Sequence, residues 1–229
     1  IETVVHSWGF EFLKLDFMYG ACMTAGVFHR RDLGRAEAFE HGMAVIREAA
    51  GPGVHLLGCG MPLSPSVGHV ASMRVGCDTA HFWLSPLGVI LRTDSMLGVR
   101  NNSRNTLVRS PMNHALWVND PDCFMVREAD TRLSPAERML DRSVKLISGG
   151  SMLFSDDFRR IGSGGRDMTK RILELGKELR SGRTIALDVM HNKIPTMAYN
   201  TAGYLALLDF RFFGGRREYD IRRYRPETG

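Results

Sequence analysis

Short apolar runs alternate with longer stretches of helical periodicity from residue 12 to about residue 180, and this alternation constrains the fold more than any other feature. "FEFLKLDF" reads as a strand. "DLGRAEAFEHGMAVIREAAG" follows, with Leu33, Ala36, Phe39, Met43 and Ile46 at three- and four-residue spacing and a glycine stop. "HLLGCG" is a second strand and, past the Pro/Gly/Ser loop "MPLSPSVGH", "VASMRVG" is a third. A polar segment with a helix near 101–110 leads to a fourth, "ALWVND". "SPAERMLDRSVKLISGG" carries Ser134 as a helix cap, Pro135 at the first helical position and Glu137 three residues after the cap. "SMLFSDD" is the fifth strand, and "RDMTKRILELGKELRSG" the last clear helix. Such alternation predicts parallel strands joined by crossover helices. After about residue 183 the pattern turns β-rich, with "RTIALDV", "GYLALLDFRFF" and "EYDIRRY".

In the run "FLKLDF", Lys14 and Asp16 are two apart and therefore share a strand face. A charged pair on an apolar strand either meets water, as on an edge strand of an antiparallel sheet, or lines a site. Polar groups recur at the carboxyl ends of the later strands. Cys59 closes the second, Arg74 and Asp78 the third, "WVNDPD" with Trp117, Asn119, Asp120 and Asp122 the fourth, and Asp156 and Asp157 the fifth. That end carries the active site in barrels and in open α/β sheets, so the recurrence favours a site. Clustered carboxylates with an arginine and a lysine suit hard-metal binding by oxygen ligands or glycoside hydrolysis by paired carboxyls. His55, His69, His81 and His191 do not cluster there, so a transition-metal centre is not expected.

The net charge of +5 and pI near 9.2 come largely from the C-terminal stretch and from residues 92–109, but Glu218, Asp220 and Glu227 interleave with the terminal arginines. That mixture reads as a solvated face, so no nucleic-acid partner is expected. Four cysteines show no CxxC spacing, so neither a zinc ribbon nor a thioredoxin-type site is expected, and Cys59 and Cys77, near apolar strand ends, read as reduced thiols. No run of 18 apolar residues and no signal peptide is evident, so no membrane partner and a cytoplasmic location are expected. The 13 methionines read as core filler. "GSGG" at 162–165 lacks the Lys-Ser/Thr of a phosphate loop and reads as a flexible connection into the last helix.

Four of these segments resemble the retaining α-galactosidases of glycoside hydrolase families 27 and 36. "FLKLDF" is similar to their nucleophile strand, "MRVGCD" to their acid/base segment, and "WVNDPDCFMVR" to their Trp-Asn-Asp-Pro-Asp signature. "LSPAERMLDRSVKLISGGSMLFSDD" looks like the helix and strand that close their barrel. The resemblance runs from about residue 8 to 160, with a looser echo beyond 183. It implies an α/β fold: a partial (β/α)8 TIM-type barrel of about five strand-helix units over 1–183, then a small antiparallel β segment over 184–229. It makes Asp16 the nucleophile and Asp78 the general acid/base. Lys14 and Arg74 would hold sugar hydroxyls, Cys59 would line the pocket, and Asp120 would orient its neighbours. The substrate would be a terminal α-galactoside or related sugar, cleaved by double displacement with no cofactor.

The chain departs from that pattern in two ways. The family's barrel has eight strands with the nucleophile on the fourth, whereas only five are read here before the β segment. Leu15 stands where an aromatic residue is common. A fragment of a larger enzyme, a barrel completed by association and a degenerate relative all fit the strand count. An open parallel sheet favours pairing with another chain, so a homo-oligomer or association with the missing strands is expected. Three functions remain in view: hydrolysis, transfer of the raffinose-synthase type, and silent carbohydrate binding.

Overall fold

The computed structural model describes residues 1–24, 27–91, 93 and 96–211. The expected strand "EYDIRRY" and the basic C-terminal stretch past Arg211 lie outside them. The chain divides into two compact units, Ile1–Arg74 with His114–Asn119, and Val75–Asn113 with the chain from Asp120 onward.

The first unit is built on β1 (Phe12–Leu15), α1 (Arg35–Ala50), β2 (His55–Gly58), β3 (Ser72–Arg74) and β4 (Val118–Asp120), whose final residue falls in the second unit. The strand order is β1-β2-β3-β4, with β1 and β2 parallel and β2 and β3 parallel. Lys14 lies opposite Leu57 and Leu15 opposite Gly58. β1 is thus an edge strand, of a parallel sheet rather than an antiparallel one. Leu56 and Leu57 point to opposite faces of β2, yet both are buried, as strands covered on both sides require. Phe39 and Met43 of α1 are buried, whereas Ala36, expected on the same face, is exposed. Arg47 fastens the end of this helix. Its guanidinium donates to the carbonyls of Gly51 (3.1 Å) and Val54 (2.7 Å), just before β2, and of His69, just before β3. These bonds satisfy carbonyls that the helix end and loops leave open.

The second unit contains α2 (Pro86–Ile90), α3 (Val99–Val108), β5 (Cys123–Phe124), α4 (Pro135–Ile147), β6 (Leu153–Phe154), α5 (Ser163–Leu179) and the strands β7 (Thr184–Ala186), β8 (Met197–Asn200) and β9 (Tyr204–Leu207). β5 pairs with β6 in parallel, and β7-β8-β9 form a separate antiparallel sheet. The capping box of α4 forms as its sequence predicts: Glu137 N–H donates to Ser134 Oγ (3.3 Å), and Ser134 N–H to Glu137 Oε2 (2.7 Å). The "GSGG" stretch is not a flexible connection. Gly162 caps α5, and Ser163, Gly164 and Gly165 form its first turn. Gly165 packs there against Ile161, where an added Cβ would come within 2.9 Å of the isoleucine side chain.

The main core of this unit gathers Val99, Leu107, Val144, Ile147, Leu179, Ala198 and Leu208. Asn200, fully buried, joins three elements. Its amide nitrogen donates to the last carbonyls of α4 (Ile147, 3.1 Å) and α5 (Leu179, 3.0 Å) and to Thr184 Oγ1 (3.1 Å). Among the described residues no helix is long and apolar enough to cross a membrane.

Candidate active site

The first unit brings Lys14, Asp16, Cys59 and Arg74 into one electrostatic cluster. Alternation along β1 puts Lys14 and Asp16 on the same face, and their side chains meet at 3.1 Å. β1 stops there because Phe17 turns into the left-handed region (φ 56°). That turn aims the Phe17 N–H back at Asp16 Oδ1, 2.8 Å away. Parallel pairing of β1 with β2 carries Cys59 alongside, where its thiol favours the ionised carboxylate. The next residue, Gly60, is left-handed (φ 51°), and a Cβ on it would lie 3.2 Å from Phe17 N and 3.4 Å from Asp16 Oδ1. A glycine is the residue that fits so close to the carboxylate.

Partial burial works against the ionised Asp16, but the bonds from Cys59, Lys14 and Phe17 outweigh it and hold its carboxyl below the ordinary value of 3.8. Burial likewise opposes the Lys14 ammonium, yet its hydrogen bond to Asp16 keeps its pKa above the usual lysine range, with Arg74 pushing the other way. Burial and the bond to Asp16 push the Cys59 thiol up to about 11, so it is a neutral donor at pH 7. The cluster therefore presents an exposed carboxylate that is fully ionised and flanked by donors, as an attacking oxygen requires.

Asp78 and Asp120 belong to the second unit. Asp78 is exposed, on the segment that leaves β3. Its neighbours are fastened on either side. Asn102 of α3 donates its amide to the Cys77 carbonyl (2.5 Å), and the Thr79 N–H donates to the Asp122 carboxylate. Gly76 is required here, since a Cβ would come within 2.7 Å of Asn102 Nδ2. Asp120 is fully buried, and its Oδ1 accepts the Asp122 N–H (2.8 Å) and the Ser151 hydroxyl (3.4 Å). Asp122 is itself left-handed (φ 73°), so the "NDPD" turn presents its second aspartate to Thr79. Of the strand-end acids on β6, Asp156 is buried and accepts the N–H groups of Val126 (2.6 Å) and Arg127 (3.1 Å), while Asp157 pairs with Arg159 (3.0 Å).

Sequence reasoning passed over Lys145, Asp141 and Asn102. Asp141 and Lys145 are spaced i,i+4 on α4, a pattern that ordinarily marks a solvated helix face. Here both are buried, with Lys145 Nζ 2.8 Å from Asp141 Oδ2. Among the described residues no group of three or more His, Cys, Asp or Glu side chains is arranged to hold a metal ion.

Parallel strand-helix units followed by a separate three-stranded antiparallel sheet define a partial (β/α)8 barrel with a small β segment, the fold of the α-galactosidases over part of its length. No family model matches the chain. The solved structures it is similar to include the α-galactosidase of Thermus thermophilus in complex with stachyose, 29% identical over 75% of this chain and 36% of that one, with a TM-score of 0.65. In its complex with p-nitrophenyl α-D-galactopyranoside, the same enzyme is 25% identical over 90% of this chain and 39% of its own, with a TM-score of 0.69. The α-galactosidase I of Mortierella vinacea shares the fold at 15% identity, over 76% of this chain and 45% of its own, with a TM-score of 0.56. The chain thus spans less than half the length of the solved enzymes it matches.

Proposed function

We propose that this chain supplies the nucleophile and the acid/base of a retaining α-glycosidase acting on terminal α-galactosides. One observation carries the reading: Asp16 is kept ionised by the Lys14 ammonium, the Cys59 thiol and the Phe17 N–H, and its oxygens stay exposed. The likeness to the Thermus enzyme at 25–29% identity supports the substrate class. In the first step an Asp16 oxygen bonds to the anomeric carbon as the glycosidic C–O bond breaks, and Asp78 gives its proton to the leaving oxygen. In the second, Asp78 takes a proton from water, whose oxygen bonds to the anomeric carbon as Asp16 departs. Lys14 and Arg74 would grip sugar hydroxyls beside the reacting centre.

The short span relative to the solved enzymes favours a second reading, a carbohydrate-binding piece that turns over nothing until β1 gains a neighbour. That neighbour would be further barrel strands or a second copy. Release of nitrophenol from an aryl α-galactoside separates the two readings, with Asp16→Asn as the control. NMR of the first-formed galactose tests retention, which requires the α anomer. An added sugar acceptor, followed by product analysis, separates hydrolysis from transfer. Turnover that survives Asp16→Asn would falsify the assignment of the nucleophile.

A further inference from the structure

We propose that Lys145 is a positioning residue for Asp78, acting through the Thr79 hydroxyl. The role given to Asp78 rests on the glycosidase reading; the way its segment is held does not. A lysine ammonium has three N–H donors, and Lys145 uses all three: on Thr79 Oγ1 (2.8 Å), the Cys123 carbonyl (2.7 Å) and Asp141 Oδ2 (2.8 Å). The Thr79 hydroxyl in turn donates to the Cys123 carbonyl (3.4 Å). One buried cation therefore ties the residue next to Asp78 to β5 and to α4.

Stability alone is a poor account of this pair. A buried ion pair regains its desolvation cost only when its remaining polar atoms are satisfied, and Asp141 Oδ1 has no hydrogen-bond partner among the described residues. The pair does provide a fixed, dry anchor for an exposed segment. With Asp122 on the Thr79 N–H and Asn102 on the Cys77 carbonyl, Asp78 sits between clamps from α3, α4 and the turn between β4 and β5. A proton donor must be held in place to serve a departing oxygen, and misplacement by about 1 Å can cost about 100-fold.

Thr79→Val removes the hydroxyl at nearly constant shape and leaves the Lys145–Asp141 pair intact, while Thr79→Ser keeps the hydroxyl. Two measurements are made on each variant. The first is 15N relaxation at the Asp78 and Thr79 amides. The second is kcat/KM for phenyl and 2,4-dinitrophenyl α-galactosides. The dinitrophenolate departs without a proton, so its release does not depend on a placed acid. Thr79→Val should loosen both amides and lower kcat/KM for the phenyl substrate by about 10- to 100-fold. The dinitrophenyl substrate should change by less than about threefold, and Thr79→Ser should restore the wild-type pattern. Unchanged order at Asp78, or equal losses on both substrates, overturns the proposal. If the wild-type chain turns over neither substrate, the glycosidase reading of this chain fails by itself, and the relaxation data alone decide whether Lys145 holds the segment. Should Thr79→Val not fold, Lys145→Arg keeps the charge beside Asp141 but replaces the compact three-way ammonium with a planar fork that does not reproduce the Thr79 contact, and it is read in the same two ways.

Discussion

Asp16 takes its partners from two residues back, one residue on and the adjacent strand. The segment bearing Asp78 is fastened by Asn102, Asp122 and Lys145, which lie 25, 43 and 66 residues from the groups they hold. The first arrangement is exposed and charged at its carboxylate, and two of its three partners are sequence neighbours. The second is buried and long-range. On the proposed mechanism, a carboxylate that must stay ionised is served by donors at its side, whereas a group that must deliver a proton to one atom is served by a rigid mount. The contrast also teaches where each is vulnerable: the Asp16 cluster in its chemistry, the Asp78 mount in its folding.

The sharpest way to break the comparison is Asp16→Asn. It should reduce turnover of an aryl α-galactoside by at least about a thousandfold while circular dichroism and the unfolding midpoint stay as in the wild type. Unfolding at a much lower denaturant concentration would show that Asp16 is structural after all. Next in size is Lys145→Met, which strands the buried Asp141 carboxylate. Urea unfolding should show a loss of about 3–5 kcal/mol, and a loss under about 1 kcal/mol would mean that the pair is not sealed from water.

Gly60→Ala tests the crowding around Asp16 from the side of β2. The left-handed backbone and the close approach to Phe17 should together cost about 1–2 kcal/mol, with a fall in turnover but no change in the leaving-group preference.

Lys14→Met should be the mildest in stability, under about 1 kcal/mol, because the pair is exposed. Its effect belongs to pH. In the folded chain Asp16 ionises below 3.8, so its contribution to stability is present above that value and lost as the pH falls through the lower, folded one. Removing Lys14 raises the folded value towards 3.8, and the acid limb of the pH–rate profile should move to higher pH. An unmoved limb would assign the ionisation to Cys59 and Phe17 alone.

The same division between local and long-range explains what the sequence reveals. The Lys14–Asp16 face follows from strand alternation, and the α4 capping box from three adjacent residue types, so both are legible as text. The order of strands and helices is legible because each buries a periodic face. β5 and α2 escape because two and five residues are too few to show a period, and β8 because three of its four residues are buried and "MAYN" shows no alternation. The Lys145–Thr79 bond escapes for a deeper reason. An i,i+4 acid–base pair reads the same whether water or protein surrounds it, and only the packing of α3 and β5 against α4 decides which. Asp120 was legible as a member of a signature, but not as the acceptor that turns Asp122 towards Thr79.

The Asn200 carboxamide bears on how the second unit comes apart. Its bonds gather the final carbonyls of α4 and α5 and a side chain of β7 around one residue of β8. No one of these elements can fray at that end without stranding a buried amide. The ends of both helices and the central strand of the antiparallel sheet should therefore open together, with a common free energy in native-state hydrogen exchange. This unit would then behave as a single cooperative block in which four short pieces of chain share one threshold.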